Sequence, residues 1–139
     1  MLGFFKSKTL KPKSLGQAGE ELAQGEYKKR GYRIIAANFF NKKGLRLGEI
    51  DFIAQNKEKI IFVEVKTRKS PAGKFGSGAE AVDRFKQIKI LKAVKVFLQK
   101  YPENLKFIPQ IDVCVVQLNE LDKAAESVTI ISNAVEDWG

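Results

Sequence analysis

Apolar positions recur every three or four residues between 14 and 30, the period of a helix with one buried face. Leu15, Ala18, Leu22 and Glu26 fall on one stripe, Glu20 flanks it with Ala23 and Tyr27, and Gly31 supplies the stop. Residues 32–38 read as a short strand and 39–47 as a basic loop carrying Asn41, Gly44 and Arg46. From 48 to 68 two β-like apolar runs follow, joined by a polar break over Asn56-Lys57-Glu58-Lys59. Residues 70–78, with Pro71, Gly73, Gly76 and Gly78, make a loop directly after the second run. Helical periodicity returns over 80–101, where Ile88, Leu91, Val94, Leu98 and Tyr101 form the apolar stripe. Lys86, Lys89, Lys92 and Lys100 lie largely away from it, on what is ordinarily a solvated face. Residues 108–118 are a further β-run through Ile111, Val113 and Val115, and 128–132 a shorter one. This order predicts an α/β domain in which the strand after the second helix lies parallel by crossover.

Acids interrupt the two runs at 48–68. Buried carboxylates destabilise a fold unless they are paired or bound to a cation, so their presence in strands this apolar asks for a reason. Side chains alternate between the faces of a strand, which puts Glu49 and Asp51 on one face and Glu64 and Lys66 on one face of the next strand. An even turn over 56–59 pairs residues whose numbers sum to 115, setting Asp51 opposite Glu64 and Glu49 opposite Lys66. Two carboxylates directly across a ladder repel, and a divalent cation between them relieves the repulsion. A slip of one residue would send Glu64 and Lys66 to the other side.

Composition narrows the chemistry. The 139 residues suffice for a single core, with 1–14 as a basic flexible arm (Lys6, Lys8, Lys11, Lys13) and 15–139 as a single domain. No signal-peptide pattern or membrane-length apolar run occurs, and the lone Cys114 sits in a β-run as a core thiol, so a cytoplasmic protein without disulfides is expected. There is no histidine, which excludes His-ligated zinc, Ser-His and Cys-His pairs, and imidazole acid/base chemistry. Any metal must be held by oxygen, favouring Mg²⁺ or Mn²⁺. A net charge of +9 points to a polyanionic partner, and Arg46, Arg68, Lys69, Lys74 and the lysines of the second helix are the candidate contacts.

Asp51, twelve intervening residues, then Glu64-Val65-Lys66 make a D…ExK pattern. Two such carboxylates hold a divalent cation that polarises a phosphate and acidifies bound water, and the lysine beside them stabilises the developing charge. The bare pattern is common; its hairpin context, the missing histidine and the positive charge give it weight. A plainer reading treats Glu49 and Lys66 as a cross-strand ion pair and the rest as surface charge.

Gly-Gln-Ala-Gly-Glu at 16–20, Gly31-Tyr32, Asn38, Gly-Glu-Ile-Asp at 48–51, Phe-Val-Glu-Val-Lys-x-Arg at 62–68 and Lys86/Lys89 resemble the YraN family. Those bacterial proteins belong to the restriction-endonuclease-like PD-(D/E)xK superfamily and are similar to archaeal Holliday-junction resolvases. The resemblance spans roughly 15–116. It implies a restriction-endonuclease-like mixed central β-sheet flanked by helices, with an α-β-β-β-α-β core. It also places Glu20 as the first-helix acid that completes the site. Two positions depart from the pattern: Ile50 stands where the superfamily name has proline, and Gln110-Ile111-Asp112 where many relatives read Arg-Phe-Asp.

The expectation is a metal-dependent, structure-selective DNA endonuclease. Asp51, Glu64 and the Val65 carbonyl would hold Mg²⁺ or Mn²⁺, Lys66 and Glu20 would act with them in catalysis, and Glu49 would support. Arg46, Arg68, Lys69, Lys74, Lys86 and Lys89 would contact branched or otherwise structured DNA. Junction substrates would favour a homodimer presenting two sites, and no membrane partner is expected. The alternative is a non-catalytic nucleic-acid-binding accessory protein that retains the fold.

Overall fold

The computed structural model describes residues 14–40, 49–70, 84–119, 121 and 124–135. Residues 1–13 of the expected basic arm, 71–78 of the expected glycine-rich loop and the first turn expected for the second helix lie outside them.

Helix α1 (Leu15–Lys29) begins at a reciprocal cap: the Gln17 amide donates to the Ser14 hydroxyl at 3.1 Å and the Ser14 amide to the Gln17 side chain at 3.0 Å. Its buried residues are Ala18, Gly19, Ala23 and Tyr27, a face rotated from the expected stripe. Leu15 and Leu22 are only partly buried, and Glu26 pairs with Arg30 at 3.0 Å. Small side chains explain the rotation, because they let the helix backbone approach the sheet. A Cβ on Gly19 would overlap the Thr67 side chain, lying 2.9 Å from its Cβ.

Strands β1 (Arg33–Phe40), β2 (Glu49–Gln55) and β3 (Lys59–Ser70) form an antiparallel meander. The turn between β2 and β3 is built by Asn56, whose side chain accepts from the Glu58 and Lys59 amides at 2.8 and 2.7 Å. It gives the expected register: Phe52 pairs with Val63, Ile53 with Phe62, Ala54 with Ile61 and Gln55 with Ile60. Helix α2 (Arg84–Lys100) and a 3₁₀ turn (Pro102–Lys106) carry the chain to β4 (Ile108–Asn119), which runs parallel to β3 as the crossover requires. Strand β5 (Ala125–Ile131) closes the order β1-β2-β3-β4-β5 and starts earlier than its apolar residues suggest.

Each face of the sheet carries a helix. Ile90, Ala93, Val94 and Phe97 of α2 pack on Ile53, Ile60, Phe62, Ile111 and Val113. On the other face Ala18, Ala23 and Tyr27 of α1 pack on Phe52, Ala54, Ile61, Val63 and the buried thiol Cys114. Covering on both faces is why β3 and β4 are almost continuously apolar. This mixed five-stranded sheet between helices is consistent with a restriction-endonuclease-like fold.

The apolar stripe expected for α2 is likewise rotated. Ile88 and Tyr101 are exposed, while Ile90 and Phe97 are buried. Phe97 explains the shift: its ring meets Phe39 and Phe62 edge-on, at centroid distances of 5.3 and 5.6 Å.

One polar group is deeply buried beneath α1. Asp112, 1% exposed, accepts from the Tyr27 hydroxyl at 2.6 Å, the Gln110 side-chain amide at 2.8 Å and the Asn133 backbone amide at 3.1 Å. Burial and the adjacent Asp112 charge push the Tyr27 hydroxyl well above its ordinary range. Among the described residues, no helix is long and apolar enough to cross a membrane.

Candidate functional site

Even-numbered residues of β3 face α2, because Ile60 and Phe62 belong to the α2 side of the core. Glu64 and Lys66 continue that row. Glu64 is 6% exposed, and its carboxylate meets the Lys66 ammonium at 3.9 Å. A second ammonium approaches more closely: Lys86 of α2 reaches the same Glu64 oxygen at 2.8 Å. Lys86 therefore does not sit on a purely solvated face. It stands four residues before Ile90, on the stripe that packs against the sheet, and helical geometry carries it to the end of β3. The Glu64 hydrogen bond holds the Lys86 ammonium above its usual range against the opposing effect of burial, with the charges of Glu64 and Asp51 adding to it.

Asp51 sits where β2 and β3 part. The β2–β3 ladder ends at Phe52–Val63, and beyond it the Asp51 side chain takes over as acceptor, receiving the Val65 amide at 2.7 Å. The carboxylate thus lies beside Glu64 in the chain of contacts, one residue along β3. It also lines a cleft of about 300 Å³ with the first turn of α1, Glu20, Asn38, Val65 and Thr67. The close approach of Gly19 to Thr67 brings Glu20 to this edge. Asn38, in the register position across from Asp51 on β1, has a positive φ of 54°, a conformation asparagine tolerates better than most residues.

Two groups therefore meet at the open end of β3. Glu64, Lys66 and Lys86 cluster on the α2 side, while Asp51 and Glu20 line the cleft on the α1 side. This corrects the single face expected for Asp51, Glu64 and Lys66: β2–β3 pairing runs only to Phe52–Val63, and beyond it Asp51 turns to the Val65 amide instead of lying across from Glu64. Among the described residues no three acids group into a ready-made metal cage. A hard divalent cation does not need one, since Mg²⁺ keeps several waters and binds through one or two carboxylates plus substrate phosphate. The donors such an ion could take at this strand end are Asp51, Glu64 and the Val65 carbonyl, all of them oxygen.

Of the other expected residues, Arg68 extends the Glu64–Lys66 row by alternation and Lys69 is exposed on the opposite face. Lys89 lies one turn beyond Lys86, 4.7 Å above the exposed ring of Phe85. Arg46, Lys74 and the side chain of Glu49 fall outside the described residues.

The chain matches the uncharacterised protein family UPF0102 over residues 19–116, from the Gly19–Glu20 pair through β4. It belongs to this family. The resemblance to YraN proteins carried by the motifs at 16–20, 48–51 and 62–68 is thereby borne out. It is 41% identical over 128 residues to the UPF0102 protein TTE1452 of Caldanaerobacter subterraneus subsp. tengcongensis, covering 91% of this chain and 98% of that one. It is 40% identical over 124 residues to a UPF0102 protein of Clostridium botulinum strain Loch Maree, covering 89% and 95% of the two chains.

Proposed function

We propose that this UPF0102 protein is a divalent-metal-dependent, structure-selective DNA endonuclease whose site lies at the open end of β3. The observation that carries this reading is a buried acid, Glu64, held among two ammonium groups and next to Asp51 at an accessible edge. A structural ion pair has no need of a second lysine and a second acid at the same strand end.

Asp51, Glu64 and the Val65 carbonyl would hold Mg²⁺ or Mn²⁺, which when bound polarises a phosphoryl oxygen and acidifies a coordinated water. The Asp51–Val65 hydrogen bond keeps the two acids in fixed relation before substrate arrives. Lys66 offers its ammonium to charge developing on the phosphate, and Glu20 faces the cleft from the other side. Arg68, Lys69 and Lys89, with a net charge of +9 behind them, would engage the DNA backbone.

A second reading, a DNA-binding accessory protein without catalysis, draws support from the Lys86–Glu64 pair, which already neutralises the central acid. The two are separated by incubating the purified protein with branched junctions, flaps, gapped and linear duplex in Mg²⁺ or Mn²⁺. Cleavage that chelation abolishes, and that favours branched substrates, is expected. Salt-dependent binding of every substrate with cleavage of none would decide for the accessory protein.

A further inference from the structure

The Lys86–Glu64 contact bears on how such a site would be loaded, an inference that rests on the metal reading above. Glu64 carries one negative charge and is met at the same oxygen by two positive groups, Lys66 at 3.9 Å and Lys86 at 2.8 Å. A divalent cation gains little from an acid already so compensated. Moving Lys86 away restores negative field at Glu64, to which Asp51 and Glu20 add from the neighbouring cleft.

Lys66 and Lys86 differ in how readily they can leave. Lys66 projects from the same strand as Glu64, two residues on, so its backbone stays beside the acid wherever its ammonium turns. Lys86 comes from a different element, on a long flexible stem, and its side chain remains 37% exposed. It therefore has both the reach and the access to exchange one anionic partner for another. A backbone phosphate arriving at the site offers that second partner.

We propose that Lys86 is an exchangeable counter-ion of Glu64, which a DNA phosphate draws off so that metal and DNA load the site together. By linkage, DNA then raises metal affinity and metal raises DNA affinity by the same factor. Without DNA the lysine holds the acid and keeps metal out.

The test is Mn²⁺ affinity, followed by the electron paramagnetic resonance of free Mn²⁺, for wild type, K86M, K86R, K57M and E64Q. Without DNA, K86M is expected to bind Mn²⁺ about tenfold more tightly than wild type, within the usual range of coupling between sites. K86R keeps the charge and K57M removes an exposed one at the opposite, turn end of the hairpin, so both should stay within about twofold of wild type. Adding a branched DNA, checked to remain intact over the measurement, should tighten Mn²⁺ binding in wild type by a similar factor and barely change it in K86M. Circular dichroism establishes that each variant is folded. If K86M binds Mn²⁺ no more tightly than K57M while E64Q has lost it, the exchange is wrong and the metal site stands. Equal Mn²⁺ affinity in wild type and E64Q would overturn the metal site and the exchange with it.

Discussion

Glu64→Gln is expected to lower metal-dependent DNA cleavage by roughly a hundredfold or more, the scale seen when one group that stabilises the reacting phosphate or its charge is removed. DNA binding should survive the change or tighten. The substitution keeps shape and removes one negative charge, so phosphate meets less repulsion, and it releases Lys86 from its 2.8 Å contact to engage the backbone. Asp51→Asn should behave similarly, since the amide oxygen still accepts from Val65 but brings no charge to a cation. Lys66→Ala should also abolish cleavage while weakening binding slightly, because it takes a positive charge away. Binding and cleavage measured on one junction substrate distinguish these outcomes. Equal nuclease traces in wild type and Glu64→Gln would mean that the cleavage does not come from this site.

The second large effect concerns the scaffold. Asp112→Ala should destabilise the fold by about 3 kcal/mol, because it strands three donors in the interior. The Tyr27 hydroxyl, the Gln110 amide and the Asn133 backbone amide all converge on this carboxylate, which is 1% exposed. Tyr27→Phe removes only one donor, leaves two on the acid, and should cost about 1 kcal/mol. The network joins the C-terminal end of α1 to β4, in register with Val63 beside Glu64, so it also fixes the helix that carries Glu20. Urea unfolding of the variants checks the order. A midpoint for Asp112→Ala close to that of wild type would mean that the network does not hold α1 in place.

The hairpin was legible because its cause is local. Asn56 makes the turn with its own side chain and an even turn sets the register as far as Phe52–Val63, but Asp51 lies one residue beyond it and is placed by its bond from the Val65 amide, which no turn rule foretells. The parallel placement of β4 followed from the handedness and length of the α2 crossover. Helix rotation was less accessible. In α1 the large residues Leu15 and Leu22 outrank Ala18 and Gly19 in hydropathy, yet the small residues face the sheet because Thr67 leaves no room for a Cβ. In α2 the buried stripe is decided by Phe97 fitting between Phe39 and Phe62, contacts between residues far apart in the chain. That rotation turned Lys86 from an apparent surface charge into a partner of Glu64. Its place four residues before Ile90 was the available signal, but only once the stripe was known to run through Ile90 and Phe97. Asn38 offered a different clue, an amide in an apolar strand where the backbone turns to positive φ opposite Asp51.

Crystals grown with branched DNA and MnCl₂, examined at a wavelength where manganese scatters anomalously, test the assignment most directly. An anomalous peak is expected at the open end of β3, at about 2.0–2.2 Å from carboxylate oxygens of Asp51 and Glu64, as hard six-coordinate cations require. Lys86 should then be turned away from Glu64 toward a phosphate. Manganese absent from this strand end, with Lys86 still on Glu64 and DNA bound alongside, would contradict it.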